Sequence, residues 1–204
     1  QGLGEALRWE DRCDAVVLGP GMGDDHDSLE LAGSIYRRLA EKGKPVVVDA
    51  DALKAFAGMG QVPRHPGAVL TPHAGEFEAL TGTPLPPDLE ARAEAVGALA
   101  DEMGCTVLSK GPVDVVSDGA RVKLNDTGNP AMATGGTGDV LSGAVGALLA
   151  KGMEAFDAAR TAAFVVGTAG DSALEELGHS MMASDVLWNL PAVFGEVLPW
   201  WTGR

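Results

Sequence analysis

The chain has 204 residues, 46% of them hydrophobic, with 29 acidic against 15 basic side chains and a formal net charge of −14. That length carries one domain with a full core, and the acidity argues against nucleic acid and anionic membranes as partners, because phosphate-rich surfaces need a basic face. No apolar run is long enough to span a bilayer and no signal-peptide pattern opens the chain, so a cytoplasmic setting is expected. The acids are spread along the chain, which reads as a well-solvated surface or as adaptation to a high-salt cytoplasm that screens self-repulsion.

Residues 14–18 (DAVVL) form a short apolar run that ends in GPGMG, which predicts a strand and a tight turn. Residues 27–42 carry helical spacing at Leu29, Ile35 and Leu39, with Gly43 as the stop. A buried strand is predicted over 45–48, a short helix over 51–57 and another strand over 68–70. Residues 73–81 begin in a T-P-H-A-G-E turn and become helical. Pro84, Pro86 and Pro87 break the chain before a helix over 88–103, with Asp88 as N-cap. A strand follows over 105–108, then a hairpin over 113–124 turning at Ser117, Asp118 and Gly119. Helices are predicted at about 138–151, 155–177 and 183–190, with Pro191 and Pro199 punctuating the end. Short apolar strands alternating with helices give an α/β class, with a mostly parallel central sheet flanked by helices on both faces. No linker or repeat interrupts the pattern, so residues 1–204 read as a single domain.

Cys13 and Cys105 each adjoin an apolar run and read as reduced core thiols, not as a disulfide or metal pair. No His/Cys cluster has zinc spacing, and no protein metal site is assigned. His26, His65 and His179 fall in polar or turn contexts. Met181, Met182 and Trp188 read as packing on the last helix, and Trp200 and Trp201 as a packed tail.

In open α/β sheets, ligands bind beyond the carboxyl ends of the strands. Four loops fall there: 19–23, 49–51, 71–76 and 110–114. The first, GPGMG, is spaced G-x-G-x-G where a dinucleotide fingerprint needs G-x-G-x-x-G, and the next strand-end acid, Asp49, comes about 30 residues on instead of about 20. The loop TGGTGD lacks the G-K-[ST] of a phosphate-binding Walker loop. It still has the makings of an anion site. Gly135, Gly136, Thr137 and Gly138 let backbone N–H groups converge, and the helix beginning there adds the positive end of its dipole. Asp139 in the first turn is either a favourable helix-start acid or a base that takes a proton from a bound hydroxyl. Asp49 and Asp51 suit a water or metal network, with helix capping open for Asp51. Asn125 and Asn129 suit either nucleotide contacts or turns.

The segments VVLGPGMG, VVDADAL, LTPHAGEFEALTG, SKGPVDVVSDG and GNPAMATGGTGDVLSG, in this order, closely resemble the ADP/ATP-dependent NAD(P)H-hydrate dehydratases. The resemblance covers nearly the whole chain. It implies a ribokinase-like fold, here apparently lacking the N-terminal portion that family domains carry ahead of GPGMG. The chain begins at Gln1 without Met, which reads as a fragment or processed piece. The implied activity is cofactor repair: the hydroxyl of hydrated NADH or NADPH is phosphorylated by ADP, giving AMP, and then eliminated as phosphate. Bacterial and archaeal members typically use ADP, eukaryotic ones ATP. By the same resemblance Asp139 is the catalytic base and touches the hydrate, together with Gly23 and His73. Lys110, Gly111, Pro112, Val113, Asp114 and Gly138 hold the adenine nucleotide, with Gly135, Gly136 and Thr137 as the anion loop. Mg²⁺ is expected to ride on the nucleotide phosphates. A homo-oligomer and a fusion to a hydrate epimerase are further family expectations. The chain has Ala131 where relatives often carry glycine, which demands a negative φ or strain. Two other readings stay open: a ribokinase-like kinase acting on a vitamin-precursor alcohol, and a non-catalytic nucleotide-binding module.

Overall fold

The computed structural model describes residues 11–57, 59 and 61–198, together with Gly4 and Arg8; Trp200 and Trp201 lie outside the described residues. Among the described residues six strands build one sheet: β1 (Val16–Leu18), β2 (Val46–Val48), β3 (Ala68–Leu70), β4 (Thr106–Ser109), β5 (Asp114–Ser117) and β6 (Val122–Asn125). They lie in chain order across the sheet. β1 to β4 are parallel and β4 to β6 antiparallel. The mostly parallel sheet expected from the alternation is therefore observed, with the hairpin supplying its antiparallel edge.

The side-chain period of two sorts each strand between two cores. Val46, Val48, Ala68, Leu70, Val107 and Val115 pack into one cluster with α1 (His26–Lys42), α2 (Asp51–Ala57), α3 (Ala74–Thr81) and α4 (Leu89–Met103). Val47, Val69, Leu108 and Val116 pack into the other with α5 (Thr137–Ala150), α6 (Ala155–Leu177) and α7 (Ala183–Val197). All three β2 valines are fully buried, which is why PVVV reads as a continuous apolar run and not as an alternating one. Truncating one of them to alanine removes buried methyls and leaves a cavity, at a cost of about 2–3 kcal/mol.

Helix ends follow local chemistry. α1 starts at Asp25, whose carboxylate accepts the Ser28 N–H at 3.1 Å, and stops at Gly43 with φ 62°. α4 starts on Asp88 as expected, its carboxylate accepting the Ala91 N–H. The C-terminal expectations need correction. Pro191 does not end the last helix; α7 runs through it to Val197. Pro191 and Leu187, the residue whose carbonyl it cannot bond, are both exposed, so water can satisfy the freed carbonyl. Trp188 is 77% exposed, because the buried stripe of α7 is Val186, Leu190 and Val193 and Trp188 lies off it. Met181 is buried but Met182 is exposed. His65 is a core residue, bonded through Nε2 to the Lys44 carbonyl at 2.8 Å and edge-on to Tyr36. Neither cysteine forms a disulfide among the described residues; Cys105 is buried and burial pushes its pKa up to about 12, while Cys13 is half-buried.

Candidate active site

Because β1 to β4 are parallel, their carboxyl ends present the four loops on one side of the sheet. Backbone and side chains then tie these loops together. Gly19, at φ 124°, lies so close to the strand beyond that an added Cβ would collide with the Asp49 carbonyl oxygen. Ala50 has φ 49°, the one positive φ outside glycine among the described residues. A left-handed alanine costs about 1–2 kcal/mol, and here it stands between two acids with different tasks. Asp49, only 1% exposed, accepts a 2.8 Å bond from Lys110 Nζ. Asp51 accepts the Gly23 N–H at 3.1 Å and Lys54 Nζ at 2.8 Å. Asp51 thereby holds the GPGMG loop in place.

Lys110 is thus not a lone cation. Besides Asp49 it lies 3.8 Å from Glu76 Oε2, and its backbone N–H bonds the Pro72 carbonyl. The loop before α3 closes on itself through a capping box. His73 Nδ1 accepts the N–H groups of Gly75 and Glu76 at 3.0 and 3.2 Å, and Glu76 Oε2 accepts the His73 N–H at 2.8 Å. An accepting Nδ1 places the neutral ring's proton on Nε2, which lies 3.5 Å from Glu76 Oε1 on a side chain 60% exposed. His73 therefore serves the backbone with one nitrogen and sets the other beside Glu76 on a largely exposed side chain.

The start of α5 is built differently. Its N-cap is Gly136 at φ 98°, and no side chain caps it. The Thr137 N–H reaches the Thr134 carbonyl at 3.5 Å, while the N–H groups of Gly138 and Asp139 are left open at the positive end of a 14-residue helix. A Cβ on Gly138 would lie 3.6 Å from Lys110 Nζ and 4.0 Å from Asp49 Oδ2, so Lys110 stands directly at this mouth. Asp139 is exposed in the first turn, and no described residue donates to or pairs with its carboxylate. The structure therefore brings Gly138, Lys110, Asp49, Glu76 and His73 into one chain of contacts and joins Gly23 to the same rim through Asp51. Ala131 sits in a 3₁₀ turn, Pro130–Met132, with negative φ, so its missing glycine causes no strain.

The 110–114 loop is anchored from below. Asp114 accepts the Gly111 N–H at 3.0 Å and Asn125 Nδ2 at 3.1 Å, and Asn125 in turn accepts from Thr127. Burial raises the Asp114 pKa, against the pull of those bonds and of Lys110. Asn125 and Asn129 are both committed to the protein, Asn129 by capping Ala131 and donating to Asp171. Asp171 escapes the sequence reading altogether. It lies mid-helix on α6, and its only sequence signal is the G-x-x-G-D run that places two glycines and an acid on one helix face. Among the described residues no group of three or more His, Cys, Asp or Glu side chains is gathered as a metal cage. No described helix is long and apolar enough to cross a membrane.

Residues 3–192 match the family model described as NAD(P)H-hydrate dehydratase. The bifunctional NAD(P)H-hydrate repair enzyme Nnr of Pyrobaculum aerophilum is 49% identical over 184 residues, covering 90% of this chain and 36% of that protein. The ADP-dependent (S)-NAD(P)H-hydrate dehydratase of Cenarchaeum symbiosum is 50% identical over 125 residues, or 61% of this chain and 44% of its own length. This chain therefore spans less than half the length of either curated relative. The ADP/ATP-dependent NAD(P)H-hydrate dehydratase of Bacillus subtilis, co-crystallised with ATP/Mg²⁺ and soaked with CoA, superimposes with a TM-score of 0.77 at 28% identity, covering 90% of this chain and 66% of that one. The architecture is shared with solved ribokinase-like structures, as the resemblance implied.

Proposed function

The chain belongs to the NAD(P)H-hydrate dehydratase family, and on that premise we propose that it repairs hydrated NADH or NADPH by nucleotide-dependent dehydration, with ADP as the phosphoryl donor. ADP is favoured over ATP because the similar archaeal protein is named ADP-dependent. The observation that carries the proposal is the convergence at Gly138: uncapped helix donors and the Lys110 ammonium face one point, with an unpartnered Asp139 carboxylate one residue away.

Hydroxide is a poor leaving group, so the hydrate's hydroxyl must first be phosphorylated. Asp139 accepts the hydroxyl proton while that oxygen forms a bond to the β-phosphorus of ADP and the bond to the bridging oxygen breaks, releasing AMP. Phosphate then leaves the ring carbon, pushed by the ring nitrogen's lone pair, and loss of a ring proton restores the reduced nicotinamide. The phosphoryl step depends on positioning and charge stabilisation. The N–H groups at the α5 mouth stabilise the equatorial oxygens, and Lys110 orients the nucleotide from the 110–114 loop. Gly23 and His73 line the hydrate side, with the Nε2 of His73 as donor.

Asp49 and Glu76 offset the Lys110 charge, and Asp139 adds another negative one. Backbone dipoles and a largely compensated Lys110 are therefore asked to hold a polyphosphate beside these acids. Mg²⁺ carried on the nucleotide supplies counter-charge without a protein cage. The test is recovery of reduced-nicotinamide absorbance from hydrated NADH with ADP or ATP. ADP-dependent recovery with equimolar AMP supports the reading. Phosphorylation of an alcohol without recovery supports a ribokinase-like kinase, and nucleotide binding without any turnover supports a binding module.

A further inference from the structure

We infer that Asp171 of α6 is a positioning residue for Asp139, acting through the turn that leads into the anion loop. The inference rests on the reading of the α5 mouth as the phosphoryl-transfer site. Its basis is the seat that α6 offers to residues 127–132. Gly167, Gly170 and Asp171 lie on one helix face. An added Cβ on Gly167 would collide with Thr127 Oγ1, and one on Gly170 with Met132 Sδ. The Thr127 backbone therefore lies directly on α6 at Gly167, and the Met132 side chain rests on it at Gly170.

Asp171 then grips the turn. Its Oδ2 accepts the Gly128 N–H at 3.0 Å and its Oδ1 accepts Asn129 Nδ2, also at 3.0 Å. The backbone must turn sharply to present both donors, and Gly128 does so at φ 99°. Asn129 passes the constraint on: its Oδ1 accepts the Ala131 N–H at 3.1 Å and its carbonyl accepts the Met132 N–H at 3.0 Å. The Met132 carbonyl accepts Thr137 Oγ1 at 2.7 Å, and the same hydroxyl lies 2.9 Å from the Thr134 carbonyl. Thr137 is the first residue of α5 and stands two before Asp139. An unbroken series of bonds thus runs from Asp171 to the helix turn that carries the base. Bonds to a carboxylate are stronger than neutral ones, which suits an anchor for a glycine-rich loop that lacks side chains of its own. Asp171 pairs with no cation among the described residues, so its two oxygens serve this turn alone.

The test uses Asp171→Asn and the exchange of partners, Asn129→Asp with Asp171→Asn. In the single variant one oxygen still accepts the Gly128 N–H, but two amide NH₂ groups oppose each other. The double variant restores that pair with donor and acceptor reversed and still lets residue 129 accept the Ala131 N–H. Asp171→Asn is expected to lower kcat about 10- to 100-fold, the scale of a small misplacement of a reacting group, with a smaller loss of nucleotide affinity through the anion loop. Amide hydrogen exchange is expected to speed up over residues 128–137 and stay slow in β2 to β4. The double variant is expected to recover both kcat and slow exchange. Wild-type kcat and exchange in Asp171→Asn, a uniform speeding of exchange across the sheet, or no recovery in the double variant would each overturn the inference. If Asp171→Asn does not fold, the double variant decides alone: turnover near wild type supports the pairing and its loss overturns it. If the wild-type protein does not dehydrate the hydrate, the proposed function fails, and the exchange of residues 128–137 still decides whether Asp171 holds the turn.

Discussion

Of the helices that begin on the ligand side of the sheet, α3 and α5 begin in opposite ways. α3 is closed at its cap: His73 accepts the Gly75 and Glu76 N–H groups and Glu76 accepts that of His73, so those donors ask nothing of a ligand. α5 is open: a left-handed glycine stands at its cap and no side chain answers its donors. Both motifs contain a residue that the family resemblance assigns to the substrates. The difference lies in what each helix start has left to give. The closed one offers a side chain, the Nε2 of His73. The open one offers backbone N–H groups, a dipole and an acid. Lys110 stands between them, bonded to Asp49, within 3.8 Å of Glu76 and beside Gly138.

The strongest way to break this contrast is to neutralise the open mouth's acid. Asp139→Asn keeps the volume and the helix start but removes a base, so kcat should fall about 10²- to 10⁴-fold while nucleotide binding persists. Comparable turnover in the variant would refute its role. Next comes the cation between the helices. Lys110→Met leaves Asp49 buried without its partner, and thermal or denaturant unfolding should register a loss of about 3–5 kcal/mol. Adding Asp49→Asn to Lys110→Met should restore most of that stability but not the nucleotide affinity. Recovery of both would make Lys110 a purely structural residue.

The closed mouth can be tested by separating cap from ring. His73→Ala loses both and should cost about 1 kcal/mol of stability. His73→Asn, a strong N-cap, should keep the stability and still raise the KM for the hydrate; an unchanged KM would leave His73 with capping alone. The smallest effect concerns the loop beside the open mouth. The native state holds the Asp114 proton to higher pH than the unfolded chain does. Its contribution to stability therefore falls as pH rises from about 4 through its raised native value. Asp114→Asn should lack this slope in a plot of Tm against pH, and an identical slope would locate the titration elsewhere.

The sequence reveals what is local. The valines of β2 and the AVL of β3 mark buried strands because their neighbours in the chain punctuate them. The glycines at 135–138 mark an anion loop because nothing else tolerates that backbone. The Asp88 cap and the hairpin at 117–119 are equally local and are observed. What it conceals is pairing across distance. Lys110 meets Asp49 across 61 residues and Asp171 meets Asn129 across 42, and no spacing rule links them. Pro191 misleads for a related reason: whether a proline ends a helix depends on whether the freed carbonyl meets water. Trp188 misleads because a large apolar side chain reads as core although the buried stripe of α7 passes beside it.

The contrast between the two helix starts has one direct measurement, amide hydrogen exchange at single-residue resolution with and without ADP and Mg²⁺. Bound nucleotide should slow exchange at Gly138 and Asp139, whose donors are open, and leave Gly75 and Glu76, already bonded to His73, unchanged. Nucleotide that binds without protecting Gly138 and Asp139, or that protects the α3 start instead, would contradict that contrast.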